Sequence, residues 1–466
     1  MRIAWPLILS SGSWSLQLYF DRVFLSNYSA SAVAAALPAG MVSFTIVSLF
    51  LGISLYTNVF VAQYIGAERP KRVGPAVWQG IYVAVFATAF GFAVRPFSSD
   101  FFAWVGHDAA VQENEVTYFN VLVYGVGLAV VSSAASCFFT GRGKTLVVMV
   151  VNFIGTGVNI FLNYVLIFGH FGFPELGMKG AAIGTVGSQV ASCGLFLILL
   201  LLPSNRRTYD TLRGCRFDWE LFRRMLRFGV PNGIQFALDC LSFTAFVMLF
   251  GRLGETQLAA GTVTLSINAL AFLPMVGFGI AVSTLVGQRM GQNRPDLAQR
   301  SAYSAFHMTS LYMVLIATCY VLIPDVFAGQ FGARLDPRQF GEILSTVRVL
   351  LRFTALYCLF DTMSIIFASA IKGAGDTRFA MLVMVTLSWI LMVIPTYLVV
   401  FVFHGGLLAC WGFFSAYIII LGLVFLWRFR GGKWKSMRVI ETPPPAPPTA
   451  LQAGMLSPDG EAPFLP

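Results

Sequence analysis

Three carboxylates, Asp21, Asp239 and Asp361, stand inside otherwise apolar runs. An ionised side chain at membrane depth costs at least about 2.5 to 3.5 kcal/mol, so it ordinarily faces a cavity and carries an ion, a proton or a substrate; pairing to a neighbouring helix is the plainer alternative. Asn152, Asn159 and Asn163 interrupt a stretch of Val, Ile, Phe and Leu, and the four-residue spacing stacks Asn159 and Asn163 on one helix face. With Asp21 these amides offer the oxygens a sodium ion needs, although polar residues also serve simply to bond membrane helices together. Gln17, one turn before Asp21, shares its face. Arg22 follows Asp21 directly, but adjacent helical residues point about 100° apart, so the two are not forced to pair.

Other chemistries lack their residues. There is no HExxH, the histidines at 107, 170, 307 and 404 are dispersed, and the seven cysteines are scattered without a CxxC pair. No catalytic or metal-binding constellation argues for an enzyme. Gly141-Arg-Gly143-Lys144-Thr145 looks like the end of a phosphate loop, but that loop needs a glycine where Phe138 stands. It reads as a tight glycine turn.

The chain must hold these residues in a bilayer. It is 57% hydrophobic, 15% aromatic and 11% charged, outside the range of soluble domains. Apolar runs of span length fall near 4–25, 41–63, 77–94, 117–140, 146–168 and 178–202, then 228–251, 262–287, 302–324, 346–371, 379–403 and 406–428. The first run is read as an uncleaved span, and its abrupt start suggests a short missing extension or a late-assigned start codon.

The chain also contains itself twice. A shift of 225 positions lays residues 6–90 on 231–315 without a gap; Gln63, Gly66, Arg69 and Pro70 meet Gln288, Gly291, Arg294 and Pro295. A second block, Gly141 to Thr145, lies on Gly373 to Thr377 at a shift of 232. Duplicated halves are typical of secondary transporters, which bind substrate between them. Residues 1–202 are thus expected to form an N-terminal six-helix lobe and 228–428 a C-terminal one. The Arg-rich cytoplasmic segment 203–227 links them, with a short interfacial helix at Asp218-Trp219-Glu220, and 429–466 form a cytoplasmic tail that is basic and then, from Glu441, Pro-rich and disordered.

With both termini inside, 23 of the 31 Lys and Arg residues fall on the cytoplasmic side, the bias expected of a multi-pass inner-membrane protein. The net charge of +10 therefore reads as topology and not as nucleic-acid binding. Pro6 and Pro231, near the start of each copy's first span, are candidate hinges.

Pro6, Phe20-Asp21-Arg22-Val23, Ala34-Ala35, Val61 to Ala67, Trp78-Gln79-Gly80 and Gly180 to Thr185 together resemble the multidrug and toxic compound extrusion (MATE) family, across roughly residues 1–428. The resemblance implies an all-α membrane protein with twelve helices in two pseudo-symmetric bundles, V-shaped around a central cavity. It implies export of small lipophilic organic cations in exchange for Na⁺ or H⁺ by alternating access, with no other cofactor and as a monomer. The carboxylates resemble the NorM-like branch, with Asp239 where a glutamate is usual. Asp21, Asn159, Asn163, Thr185, Asp239 and Asp361 are then the expected cation-coupling residues, and Asp21, Gln17, Asp239 and Asp361 the substrate cavity. The Asn-rich fifth span leans toward Na⁺. Arg22 departs from the small or hydroxyl residue of relatives. A lipid or lipid-linked oligosaccharide flippase is the rival reading, revived if Arg22, Arg348 or Arg352 maps into the cavity.

Overall fold

The computed structural model describes residues 3–331 and 337–441. Helix α1 (Ala4–Tyr28) leads to α2 (Ala30–Leu55), α3 (Thr57–Gly66), α4 (Val73–Val94), α5 (Ala109–Leu122), α6 (Val126–Thr140), α7 (Thr145–Phe168) and α8 (Gly177–Leu200). After a short helix at Pro203–Tyr209 come α9 (Trp219–Gly251), α10 (Glu255–Gly291), α11 (Pro295–Leu322), α12 (Pro337–Ala374), α13 (Thr377–Leu387), α14 (Ile394–Phe401) and α15 (Leu407–Arg430). No strand occurs among the described residues. Eleven spans among them are long and apolar enough to cross a bilayer. The twelfth, α1, has the length, with 25 residues, but Ser10, Ser11, Ser13, Ser15, Gln17, Asp21 and Arg22 dilute its apolar content.

The two halves meet through their duplicated segments. A Cβ on Gly66 would stand 1.9 Å from the Gln288 carbonyl oxygen, and one on Gly291 would stand 2.1 Å from that of Gln63. Only glycine lets α3 and α10 approach so closely. The side chains reciprocate: Gln63 Nε2 donates to Gly373 O at 3.1 Å, while Gln288 Nε2 donates to Gly141 O at 2.9 Å. Each glutamine of one half thus caps the glycine turn of the other.

The backbone repeats as faithfully as the sequence. Glu68 (φ 56°) and Asn293 (φ 59°) are both left-handed, so Arg69 N bonds Tyr64 O and Arg294 N bonds Arg289 O, each at 2.9 Å. Pro70 and Pro295 then open the next helical segments, where a missing N–H costs nothing. Gly143 (φ 76°) and Gly375 (φ 124°) make the matching tight turns.

Further contacts join the halves near the same end. Asn232 Nδ2 donates to Gly52 O at 2.6 Å, and Asn58 Nδ2 donates to Thr284 Oγ1 at 3.0 Å. The start of α1 and the segment after α15 share one core with α10, as Ala4, Leu7, Met290 and Trp434 show. Because Arg69, Arg72, Arg142, Arg224 and Arg428 also cluster here, we refer to it as the basic end.

Two features differ from the sequence reading. Asp218-Trp219-Glu220 opens α9 instead of forming a separate helix, with Asp218 Oδ1 accepting Leu221 N–H at 3.1 Å as the N-cap. The expected tail begins with a built segment: a 3₁₀ turn at Lys433–Ser436 buries Trp434, and Val439 and Ile440 are buried beyond it. The proline-rich stretch from 442 lies outside the described residues. Pro6 sits in the first turn of α1, whereas Pro231 lies inside α9.

Gly66→Ala should therefore destabilise the closed basic end by about 1–3 kcal/mol, the cost of overpacking. Gly12→Ala, with nothing within 4 Å of the new Cβ, should be neutral or stabilising. Thermal melts of the purified variants check this, and equal midpoints for the two would contradict the close approach.

Candidate functional site

Helices α1 and α7 run parallel in a constant register. Asn152 donates to Ser10 and Asn163 to Asp21, both pairs 142 residues apart. Between them Thr156 Oγ1 donates to Ser13 O at 3.3 Å. Asn152, Thr156 and Asn163 of α7 thus find partners on α1, as buried polar groups in a bilayer require. Helix α8 closes against α7 because Gly184 leaves room: a Cβ there would lie 2.0 Å from Asn163 Oδ1.

This geometry joins four of the expected residues into one chain. Asn163 Nδ2 donates to Asp21 Oδ1 and, at 3.3 Å, to Asn159 Oδ1; Asn159 Nδ2 reaches Thr185 Oγ1 at 3.5 Å. Asn159 and Asn163 are fully buried. Asn163 Oδ1 is buried without a hydrogen-bond partner, an acceptor that a cation would satisfy.

Asp21 also faces a cavity of about 910 Å³ between the halves. Its wall runs along α1 from Ser10 through Gln17 to Leu25 and includes Thr185 of α8; Cys240, Phe243 and Thr244 of α9 contribute from the other half. Tyr118, Ser188 and Gln189 line it too, although the sequence had not marked them. Arg22 lines the same cavity and is exposed, with no ion pair to Asp21 within 4 Å. Arg348 instead pairs with Asp325 at 2.7 and 2.8 Å on the surface, and Arg352 is exposed outside the cavity wall.

Asp239 and Asp361 do not line this cavity. Both lie within electrostatic reach of Tyr417 on α15. Gln235 Nε2 donates to Asp239 Oδ2 at 3.3 Å, leaving Asp239 Oδ1 buried and unpaired, while Ser364 Oγ donates to Asp361 Oδ1 at 3.4 Å. Lys372 donates to Asn232 Oδ1 at 3.3 Å and forms no ion pair with Asp239 within 4 Å. By the 225-residue repeat Asp21 corresponds to Phe246 and Asp239 to Trp14. The two acidic sites are therefore not symmetric copies: Asp239 sits seven residues, roughly 10 Å along a helix, nearer the basic end.

Two six-helix halves, closed together at one end around a largely apolar cavity that bears a carboxylate, define a membrane transporter of duplicated architecture. The MatE family model matches residues 6–165 and 231–398, so the duplication is the family's own, and this chain belongs to the MatE family. A relative from Thermotoga maritima, "Probable multidrug resistance protein NorM", is 25% identical over 434 residues, covering 91% of each chain. One of the same description from Brucella suis is 27% identical over 385 residues, covering 82% of each. Among solved structures, one described as the outward-facing conformation of a multidrug resistance MATE family transporter superposes with a TM-score of 0.82 at 19% identity, covering 93% of this chain and 95% of that one. MATE in its straight conformation gives 0.81 at 21% identity, covering 94% and 96%.

The Asp21–Asn163 bond makes the two side chains energetically coupled. In a double-mutant cycle of Asp21→Asn and Asn163→Ala, followed by unfolding in detergent, the coupling should be about 0.5–3 kcal/mol; additivity within about 0.5 kcal/mol would show that the bond contributes nothing.

Proposed function

We propose that this chain is an inner-membrane multidrug exporter that exchanges lipophilic organic cations for Na⁺ by alternating access, working as a monomer. One observation carries the reading: Asp21 both terminates the amide chain of Asn163, Asn159 and Thr185 and faces the cavity between the halves. A single carboxylate is therefore available to two ligands that cannot hold it together. Sodium binding at Asp21, with oxygens from Asn159, Asn163 and Thr185, neutralises the charge that attracts a cationic drug. The drug in turn displaces the ion, and each shifts the conformational equilibrium by its differential affinity for the two states.

The unpaired Asn163 Oδ1 favours Na⁺ over H⁺, because a metal ion takes up several oxygens whereas a proton needs only one. Asp239 and Asp361 form a second cation site in the other half, where Asp239 Oδ1 is likewise unpaired. The basic end faces the cytoplasm, following the Lys and Arg bias. Pro231, within α9, gives that helix a place to bend.

One observation favours a second reading, an exporter or flippase of amphiphiles that carry an anionic group: Arg22 lines the cavity without an acidic partner. It would bind a phosphate or carboxylate head and repel a purely cationic drug.

Ethidium flux in proteoliposomes under separately imposed Na⁺ and H⁺ gradients tests the first reading. Flux should follow the Na⁺ gradient and fall to the level of protein-free liposomes in Asp21→Asn, with a similar loss in Asp361→Asn. Flux that persists in Asp21→Asn, Asp239→Asn and Asp361→Asn alike removes the coupling assignment. Arg22→Ser separates the readings: it should raise ethidium affinity under the first, and abolish binding of an anionic amphiphile such as dodecyl phosphate under the second.

A further inference from the structure

The segment after α15 starts in one half and ends in the other. Trp434 is fully buried, stacks on Phe429 at 4.9 Å and donates Nε1–H to its carbonyl at 2.8 Å, in the core shared by α10 and α12. Val439 and Ile440, five and six residues later, are buried among Tyr56, Phe60 and Tyr64 of the other half and Leu221 and Met225 at the start of α9. Between these anchors Arg438 Nη2 donates to Gly291 O at 3.2 Å, satisfying a carbonyl left open at the end of α10.

The far end is held by a built polar cradle. Gln63 Oε1 accepts the N–H of Val439 at 3.0 Å and of Ile440 at 3.4 Å, while the same amide donates to Gly373 across the closed end. Glu441 receives Arg69 at 2.8 Å, Tyr64 O–H at 2.8 Å, and Arg72 and Arg224 at 3.3 Å each. Arg69 Nη1 also donates to the Glu441 carbonyl at 3.2 Å. Although burial acts to raise the carboxyl's pKa, the hydrogen bonds and the arginines outweigh it and hold the value below the usual glutamate range. A lowered value means the attraction is present above the ordinary glutamate pKa and is lost only when pH falls through the bound one. At neutral pH the contact stays charged.

We propose that residues 433–441 are a latch: the cradle of Gln63, Tyr64, Arg69, Arg72 and Arg224 binds the chain's own acidic, extended segment, and the basic end opens only when that segment leaves. The geometric reason is reach. Five residues from Trp434 to Val439 span at most about 18 Å even fully extended, so while both anchors hold, the two cores they sit in stay within that distance of each other. The anchor that yields is the far one, since Glu441 retains 22% side-chain exposure, water can replace its polar partners, and the apolar side chains that must leave a core there, Val439 and Ile440, are smaller than Trp434. The repeat gives Gln63 a counterpart in Gln288, but only Gln63 accepts backbone N–H groups of the segment. The latch is thus an asymmetric addition to a symmetric closure. It rests on the closed contact and not on the identity of any substrate.

The test uses the full-length chain and two readouts. Hydrogen exchange measures the Val439 and Ile440 amides, and electron–electron resonance measures the separation of spin labels at Lys71→Cys and Gln292→Cys, both exposed at the basic end, with the exposed Cys215 replaced by Ser. Glu441→Gln removes the charge at constant volume. It should speed exchange of those two amides by about tenfold or more, as loss of charge-assisted hydrogen bonds implies, and add a longer-distance population. Arg69→Gln, which removes one partner of several but the one that holds Glu441 from the other half, should give the same pattern more weakly and guards against a folding defect in the first variant. Gln288→Leu, which removes a closure bond but leaves the cradle intact, should leave both amides protected and the label distance unchanged; a longer distance with the amides still protected would show that the end opens with the segment in place and would overturn the proposal. Faster exchange with an unchanged distance distribution would make the segment a passenger and overturn the proposal. Unchanged exchange in Glu441→Gln would equally overturn it, since the carboxylate would not be the anchor.

Discussion

Everything in this molecule is arranged around the close contact of α3 and α10 at the basic end. Gly66 against the Gln288 carbonyl and Gly291 against that of Gln63 bring two backbones to a distance no side chain permits. Because the two glycines are copies of one sequence position, the contact is self-complementary in the manner of a twofold interface. The glutamines add directionality: each reaches past the contact to the glycine turn of the opposite half. With the halves joined there, the cavity walls of α1, α2 and α9 are positioned by lever arms that start from one fixed point. A six-helix repeat has an even number of crossings, so both copies share one orientation and the closure can involve the same end of each.

Much of this was legible in the sequence, for physical reasons. Bilayer thickness fixes span length, so the apolar runs marked the helices. The Gln63-to-Pro70 and Gln288-to-Pro295 matches marked the duplication, whereas that the two copies pack on each other came only from the structure; a left-handed residue, a close approach and a helix-starting proline are what restrict residue type there. The Asn159–Asn163 spacing placed both amides on one face, and the structure joins them to Asp21 and Thr185. What the sequence could not supply is helix rotation and depth between the halves. Asp239 and Asp361 were grouped with Asp21 in one cavity because all three are intramembrane acids, yet they lie off its wall. Subtracting 225 from Asp239 gives Trp14, not Asp21, and that mismatch was already a sign that the sites differ in depth. The segment at 433–441 was missed for a different reason: a basic stretch before a proline-rich tail reads as solvated, and only tertiary contact reveals Trp434, Val439 and Ile440 as core residues.

The strength of the polar closure suits a part that must open. Gln63, Gln288, Asn58 and Asn232 each donate one hydrogen bond between halves, worth about 0.5–1.5 kcal/mol net apiece because water replaces the partner once the cleft parts. Had the same groups been sealed in lipid, separation would strand them at several kcal/mol each. The difference lies in where they sit, at the end where a widening cleft admits water. A closure of a few kcal/mol is comparable with what a ligand can exert by preferring one state, since moving an equilibrium from 1:99 to 99:1 takes about 5.5 kcal/mol of differential affinity. Ligand exchange at a single carboxylate is therefore commensurate with the clasp it would have to oppose. The two glutamines face each other across one rigid-body contact, so their bonds break together, and the closure behaves as one switch rather than two independent ones.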